Sequence, residues 1–301
     1  MGSAFLFPGQ GSQKVGMGQV LYAQSPAAQK LYDTADALLG WPLSQLCFAG
    51  PEEKLTVTVN QQPALFVTNL AIWQAMLADG WQKPDFVAGH SLGELPALVA
   101  AGAIQFEDGL RLVQKRGELM QLAGELNPGA MAAILALDSQ QIVEICTQAS
   151  KETGLPVQLA NDNCPGQVVI SGDETALTRA LELAQEAKAR KIVRLPITIA
   201  AHSSLMNSIA DDFATAVDDT PIQTPTIPII GNVTAKPLVD IATIQAELKA
   251  QLTASVQWTD SMRYLLDQGV DTFVEVGPGN VLLGLIKRLD RQTKRLKFEL
   301  E

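Results

Sequence analysis

Histidine is scarce: among 301 residues the chain has two, His90 and His202. Any imidazole base must be one of that pair. Cysteine is nearly as sparse. Cys47, Cys146 and Cys164 are odd in number, widely spaced and without a C-x-x-C pair. That argues against a disulfide framework or a zinc site and fits a reducing compartment. Positive charge is in deficit, with 22 Lys+Arg against 32 Asp+Glu and a formal net charge of −10, whereas a general nucleic-acid binder needs a positive surface. No apolar run reaches the roughly 18 residues that would suggest a membrane span. A strand-like stretch at 4–7 leaves no room for a leader, and Leu6 stands where a myristoylation pattern opening on Met1-Gly2 needs Ser or Thr. The expectation is a cytoplasmic protein with no nucleic-acid and no membrane partner.

What is present begins with core material. Apolar residues make up 47% and charged ones 18%, enough for one large domain or two ordinary ones without extended disorder. The informative stretch is Gly89-His90-Ser91-Leu92-Gly93, between the apolar run Phe86-Val87-Ala88 and a helical stretch at 95–101. A strand, a tight turn with glycines on both sides of a serine, then a helix is the pattern of a nucleophile elbow. The turn pushes the hydroxyl out of the sheet and crowds its own flanks, and glycine relieves the crowding. The helix turns its first N–H groups, beginning with Leu92, toward the place where an oxyanion would form. Taken alone, these five residues also fit an ordinary glycine-serine loop. Pro96 is awkward: its missing N–H, five residues past Ser91, calls for a late helix start or a distorted first turn.

Around the elbow, strand and helix patterns alternate. A strand at 4–7 runs into Pro8-Gly9-Gln10-Gly11-Ser12-Gln13 and then a helix over 17–39. That loop lacks both common phosphate-binding spacings, which leaves a main-chain donor beside an active site or a plain turn. Residues 61–78 read as a buried helix and 107–122 as an amphipathic one, whose Arg111, Lys115 and Arg116 read by themselves as solvated cations. The rhythm then changes: strand 130–137, helix 139–150, strands 157–160 and 167–171, helix 174–190, strand 192–195. That order is the split pattern of a ferredoxin-like unit. Helices at 205–217, 241–252, 257–268 and 281–289 follow, with strands at 227–230 and 272–276, the latter closing in Gly277-Pro278-Gly279. The expected class is α/β. A large α/β-hydrolase-like subdomain with a parallel sheet spans 1–126 and 198–301, and an inserted ferredoxin-like (βαββαβ) subdomain spans 127–197.

A serine nucleophile needs a base. His90 directly precedes Ser91, so its ring points away from the hydroxyl and reads as a packed residue behind the elbow. His202 remains, at the end of the apolar run 197–201, where α/β proteins gather functional groups. No acid between Ser91 and His202 stands in an obvious strand-end loop, so the Ser-acid-His order of α/β-hydrolases is not met. A dyad fits better, its imidazole held by a backbone carbonyl or amide.

The motifs FPGQGSQ at 7–13, QPAL at 62–65, GHSLGE at 89–94 and RLVQKRGELM at 111–120 occur in that order. NCPGQVVISG at 163–172, AAHSSLM at 200–206, VQWTDS at 256–261 and EVGPGNVL at 275–282 continue the series. Jointly they resemble the bacterial malonyl-CoA:acyl carrier protein transacylases over nearly the whole chain. The resemblance implies that Ser91 carries the malonyl group as an ester, with His202 as its base and then its acid. It implies an oxyanion hole from the N–H groups of Gln10 and Leu92, and Arg116 paired with the free malonyl carboxylate. A main-chain carbonyl near Gln257 would orient His202, and Gln62 would lie by the acyl group.

The implied chemistry is ping-pong between a coenzyme A thioester and the phosphopantetheine thiol of acyl carrier protein, in a monomer without metal or redox cofactor. An acidic carrier needs a basic landing place, and Lys188, Arg190, Lys191 and Arg194 form one cluster. Lys287, Arg288, Arg291, Lys294 and Arg295 form another. Leu95-Pro96 and Ala200-Ala201 depart from the family's usual residues around the serine and the histidine, which touches acyl selectivity and not the chemistry. The competing readings are a thioesterase or esterase, a carrier-binding scaffold with a vestigial site, and an acyltransferase serving polyketide synthesis.

Overall fold

Two sheets organise a mixed α/β fold, the larger dominated by parallel pairings and the smaller antiparallel. The structure is a computed structural model and describes residues 2–298; Met1, where the lipidation pattern would open, lies outside the described residues. In chain order the strands are β1 Gly2–Phe7, β2 Phe86–Gly89, β3 Ala130–Leu135, β4 Val157–Cys164 and β5 Gln167–Gly172. They continue with β6 Lys191–Arg194, β7 Ile229–Ile230, β8 Pro237–Leu238, β9 Val270–Glu275 and β10 Lys294–Lys297.

The large sheet runs β10-β9-β1-β2-β7-β8, parallel throughout except for the β7–β8 pair. Its central strands are almost wholly apolar, as expected where helices cover both faces. Register positions the site. Phe7 pairs with Gly89, Ala88 with Ile230 and Leu6 with Glu275. The segments that leave β1, β2, β7 and β9 therefore emerge side by side at the carboxyl ends of the strands, where open α/β sheets bind ligands. Those segments carry Gln10, Ser91, Asn232 and the Gly277-Pro278-Gly279 loop. The Thr58–Ala78 helix, with apolar residues on more than one face and buried along most of its length, packs against the Phe106–Leu126 helix.

The small sheet runs β4-β5-β3-β6, every pair antiparallel, and shares its own apolar cluster with the Ser139–Thr153 and Glu174–Glu186 helices. β4 joins it to the rest. Val256 N–H donates to the Ala160 carbonyl (2.8 Å), and Asp162 N–H to the Val256 carbonyl (2.9 Å). The Gln158 amide reaches the carbonyls of His202 and Thr253, each at 3.2 Å.

Several elements differ from the sequence expectation for local reasons. The single helix over 17–39 is two, Gln19–Gln24 and Pro26–Leu39. Ser25 breaks it: its hydroxyl accepts from Ala28 N–H, and Pro26 occupies the first turn, where a missing N–H costs nothing. The helix at 205–217 opens as a 3₁₀ segment, Ser204–Ile209, before Ala210–Asp219. Helices Leu43–Ala49 and Glu52–Leu55, and strands β8 and β10, are additional. Pro96 is accommodated by the late start. A 3₁₀ turn over Ser91–Gly93 precedes the Glu94–Ala100 helix, so Pro96 falls in a first turn whose N–H groups have no intrahelical partner. Among the described residues no helix is long and apolar enough to cross a membrane.

Candidate active site

The elbow has no room for side chains at its glycines. A Cβ on Gly89 would lie 1.9 Å from the carbonyl carbon and oxygen of Gly93, and one on Gly93 would lie 1.9 Å from the Phe7 carbonyl oxygen. Ser91 itself sits at φ 51°, a left-handed conformation that a non-glycine residue keeps only when its surroundings impose it. Asn232, buried after β7, imposes it. Its Oδ1 accepts from Ser91 N–H (2.7 Å), while its Nδ2 donates to the Gly89 carbonyl (2.7 Å).

His202 Nε2 lies 2.8 Å from Ser91 Oγ. Its other nitrogen, Nδ1, faces the main-chain carbonyls of Gln251 (2.8 Å) and Ala254 (3.1 Å). Two carbonyls can only accept, so Nδ1 carries the hydrogen and Nε2 is left to accept the serine proton. Of these carbonyls, that of Ala254 stands three residues before Gln257, while the Gln257 carbonyl itself is not one of them. The Gln257 carbonyl accepts from Ser261 N–H (2.9 Å) in the first turn of the next helix. The Gln251 carbonyl closes the Ile241–Gln251 helix, whose last carbonyls lack intrahelical donors, and Ala254 follows just beyond that end. That helix end also carries partial negative charge. Burial, reinforced by the Arg116 guanidinium, pushes the His202 pKa down to about 3, so the free base is neutral near pH 7.

Arg116 is only 1% exposed. It projects from the Phe106–Leu126 helix, with Nη1 donating to Gln62 Oε1 (2.9 Å) on the Thr58–Ala78 helix. Its Nη2 donates to Gln251 Oε1 (2.9 Å) and to Ser91 Oγ (3.2 Å). Among the described residues no carboxylate stands within ion-pair distance of it, and its Nε–H has no partner. Burial lowers its pKa to about 10, with Glu94 pulling the other way, so it stays charged. A buried cation without an ion partner is costly, and this one is aimed at the nucleophile. The arrangement suits an acyl group that brings its own carboxylate.

The first glycine-rich loop closes the site. A Cβ on Gly9 would stand 2.4 Å from the His90 carbonyl oxygen and 3.5 Å from Leu92 N, so the loop lies directly on the elbow. Asn69 Nδ2 holds the Pro8 carbonyl at 2.9 Å, and Ser12 Oγ the Gly9 carbonyl at 2.7 Å. Among the described residues neither the Gln10 nor the Leu92 amide donates to another protein atom, which leaves both for a ligand.

A model of the acyl transferase domain family matches residues 4–297. The malonyl CoA-acyl carrier protein transacylase of Bacillus subtilis is 45% identical over 293 residues, covering 97% of this chain and 92% of that protein. The solved transacylase of the same name from Coxiella burnetii superposes with a TM-score of 0.96 at 41% identity, over 99% of this chain and 93% of that one. The chain belongs to the malonyl-CoA:acyl carrier protein transacylase family. A further relative, a malonyl-transacylase solved in complex with a holo type II PKS acyl-carrier protein, has a TM-score of 0.95 at 37% identity, covering 99% of this chain and 96% of that one.

In this transacylase, Ser91, His202, Arg116 and Gln62 converge, with the Gln10 loop alongside. His90 is separate. Its Nε2 meets Asn163 Oδ1 (2.7 Å), and its ring lies 5.2 Å from that of Trp258. Lys188, Arg190, Lys191 and Arg194 sit on or just before β6, an edge strand of the small sheet, and Arg194 is spent on Glu174 and Thr178. No group of acids, histidines or cysteines fit to hold a metal occurs among the described residues.

Three site residues escaped sequence reasoning. Asn232 stood only in a polar turn after a strand. Glu94 closed the GHSLGE motif without a role. Gln251 carried no signal, since it lies in the last turn of a distant helix.

Proposed function

We propose that this transacylase moves a malonyl group from malonyl-CoA to the phosphopantetheine thiol of acyl carrier protein, by a ping-pong route through an ester on Ser91, and so supplies fatty-acid chain elongation. The observation that carries the reading is the buried Arg116 guanidinium, without a carboxylate partner among the described residues and 3.2 Å from Ser91 Oγ. In the first half, Ser91 Oγ attacks the thioester carbonyl and passes its proton to His202 Nε2. Gln10 and Leu92 N–H groups receive the oxyanion. The C–S bond breaks, and coenzyme A leaves with the proton from His202. In the second half the carrier's thiol gives its proton to His202 and attacks the ester carbonyl. Ser91 Oγ departs and is reprotonated. Pairing of the malonyl carboxylate with Arg116 offsets the charge that depresses His202, so the base strengthens once the acyl group is seated.

The intact mass after brief exposure to malonyl-CoA tests this. The wild type gains one malonyl group and Ser91→Ala gains none; an undiminished adduct on Ser91→Ala overturns the reading. With Arg116→Ala the preference for malonyl-CoA over acetyl-CoA collapses, and a preserved preference removes Arg116 from its role.

The carrier is assigned to Lys188, Arg190 and Lys191, which are exposed and form no ion pair among the described residues. Charge reversal at Lys188 and Lys191 slows transfer to the carrier and spares acylation by malonyl-CoA. Equal slowing of both half-reactions contradicts it. The domain reading belongs to the same proposal: a ferredoxin-like unit at 127–197 inserted into an α/β-hydrolase-like unit at 1–126 and 198–301. It is supported by the β-α-β-β-α-β order from β3 to β6 and their antiparallel arrangement.

A further inference from the structure

The anion that acts on Arg116 stands one group away. Gln251 links the two: its Oε1 accepts from Arg116 Nη2 (2.9 Å), and its Nε2 donates to Glu94 Oε2 (2.5 Å) and to the Ser91 carbonyl (3.0 Å). Glu94 is completely buried, and its Oε1 accepts from Asn232 N–H (3.0 Å) and Nδ2 (2.9 Å). Neither amide orientation is free. A guanidinium can only donate, so Gln251 must turn its oxygen to Arg116 and its NH2 to Glu94. Ser91 N–H can only donate, so Asn232 must likewise present its NH2 toward Gly89 and Glu94. Every group that Glu94 meets in these bonds is therefore a donor, and both of its oxygens accept. Burial and then the neighbouring Glu247 carboxylate push its pKa well up against the donors from Asn232 and Gln251, and it is the all-donor surround of both oxygens that fits the charged form.

We infer that Glu94 is a positioning residue for acyl-group selection, acting through the Gln251 amide. It keeps an oxygen of that amide on Arg116 and supplies the counter-charge at one remove, which leaves the guanidinium open to a substrate carboxylate. A carboxylate in direct contact would close Arg116 to substrate. No carboxylate at all would leave a buried charge uncompensated. This inference rests on the reading that Arg116 receives the acyl carboxylate.

Glu94→Gln tests it. A glutamine there has one acceptor oxygen for three donors. With that oxygen kept on Asn232, its NH2 opposes the Gln251 NH2, which turns over and sets a donor against Arg116. The malonyl-to-acetyl ratio of kcat/KM falls by about tenfold or more, through a higher malonyl KM. In a Gln251→Met background the same change brings no further fall, because the two substitutions act on one relay. An equal loss for both acyl groups, or additive effects in the double variant, overturns the inference. Should Glu94→Gln fail to fold by circular dichroism, Glu94→Asp reads the same ratio. It keeps the charge but draws the carboxylate back from Gln251, and an unchanged ratio overturns the inference. Arg116→Ala is measured alongside. If it leaves the ratio intact, the reading of Arg116 fails; if it abolishes the ratio while the Glu94 variants keep it, only the role of Glu94 fails.

Discussion

Replacing His202 with alanine is expected to slow acylation of Ser91 by a factor of about 10²–10⁴, the usual worth of a positioned acid-base group. Among the described residues no other side chain stands where it can take the proton. The second histidine is turned to Asn163, and the remaining side-chain partner of Ser91 Oγ is Arg116, which only donates. Single-turnover acylation by malonyl-CoA reads the effect, and a rate within about tenfold of the wild type would remove His202 from its role. The pH profile carries the same expectation. His202 is depressed to about 3 by burial and Arg116, so the free enzyme keeps a neutral base as pH falls from 7 past the ordinary imidazole value of about 6.5. The acid limb of kcat/KM attributable to His202 therefore lies well below 6.5. Stability follows the same sign. Between about 3 and 6.5 the unfolded chain binds the imidazole proton and the folded chain does not. This contribution is complete above that window and is lost as pH falls through it.

Gly93→Ala is expected to be among the most disruptive single methyls in the site. The new carbon would lie 1.9 Å from the Phe7 carbonyl oxygen, and the obstacle is the backbone of a central strand rather than a movable side chain. The cost falls at or above the upper end of ordinary overpacking, about 3 kcal/mol. Gly89→Ala meets the other side of the same turn. Gly284→Ala is the control: its Cβ meets nothing within 4 Å, and it lies in the Val281–Leu289 helix. There alanine is expected to be neutral or to stabilise by about 0.5–1 kcal/mol. Urea midpoints compare the three, and similar shifts at 93 and 284 would refute the steric account of the elbow.

Legibility in the sequence followed the range of the forces involved. The elbow was readable because its steric demand is local: glycine on both sides of Ser91, in a strand-to-helix context. His202 was readable by elimination, since one of two histidines was barred by adjacency. The missing acid was readable too, and so was a backbone carbonyl in its place, but not which carbonyl, because a helix end is a property of where the Ile241–Gln251 helix stops and what it faces. Arg116 looked like a surface cation by helical spacing, and only the family resemblance singled it out. Its burial depends on how closely the Thr58–Ala78 and Phe106–Leu126 helices pack. Glu94 and Gln251 were silent because their partners are 157 positions apart in sequence. The split at Ser25 was a local signal, a hydroxyl before proline, that apolar periodicity concealed.

The helix end behind His202 also bears on what the site refuses to hold. Gln251 lends its carbonyl to the imidazole and its side chain to Arg116, so the place where a hydrolase keeps its aspartate is here within reach of the guanidinium. An aspartate in that place would be a tethered imitation of malonate, able to swing onto Arg116 and occupy it permanently. By orienting its base with neutral carbonyls, this protein avoids carrying its own inhibitor.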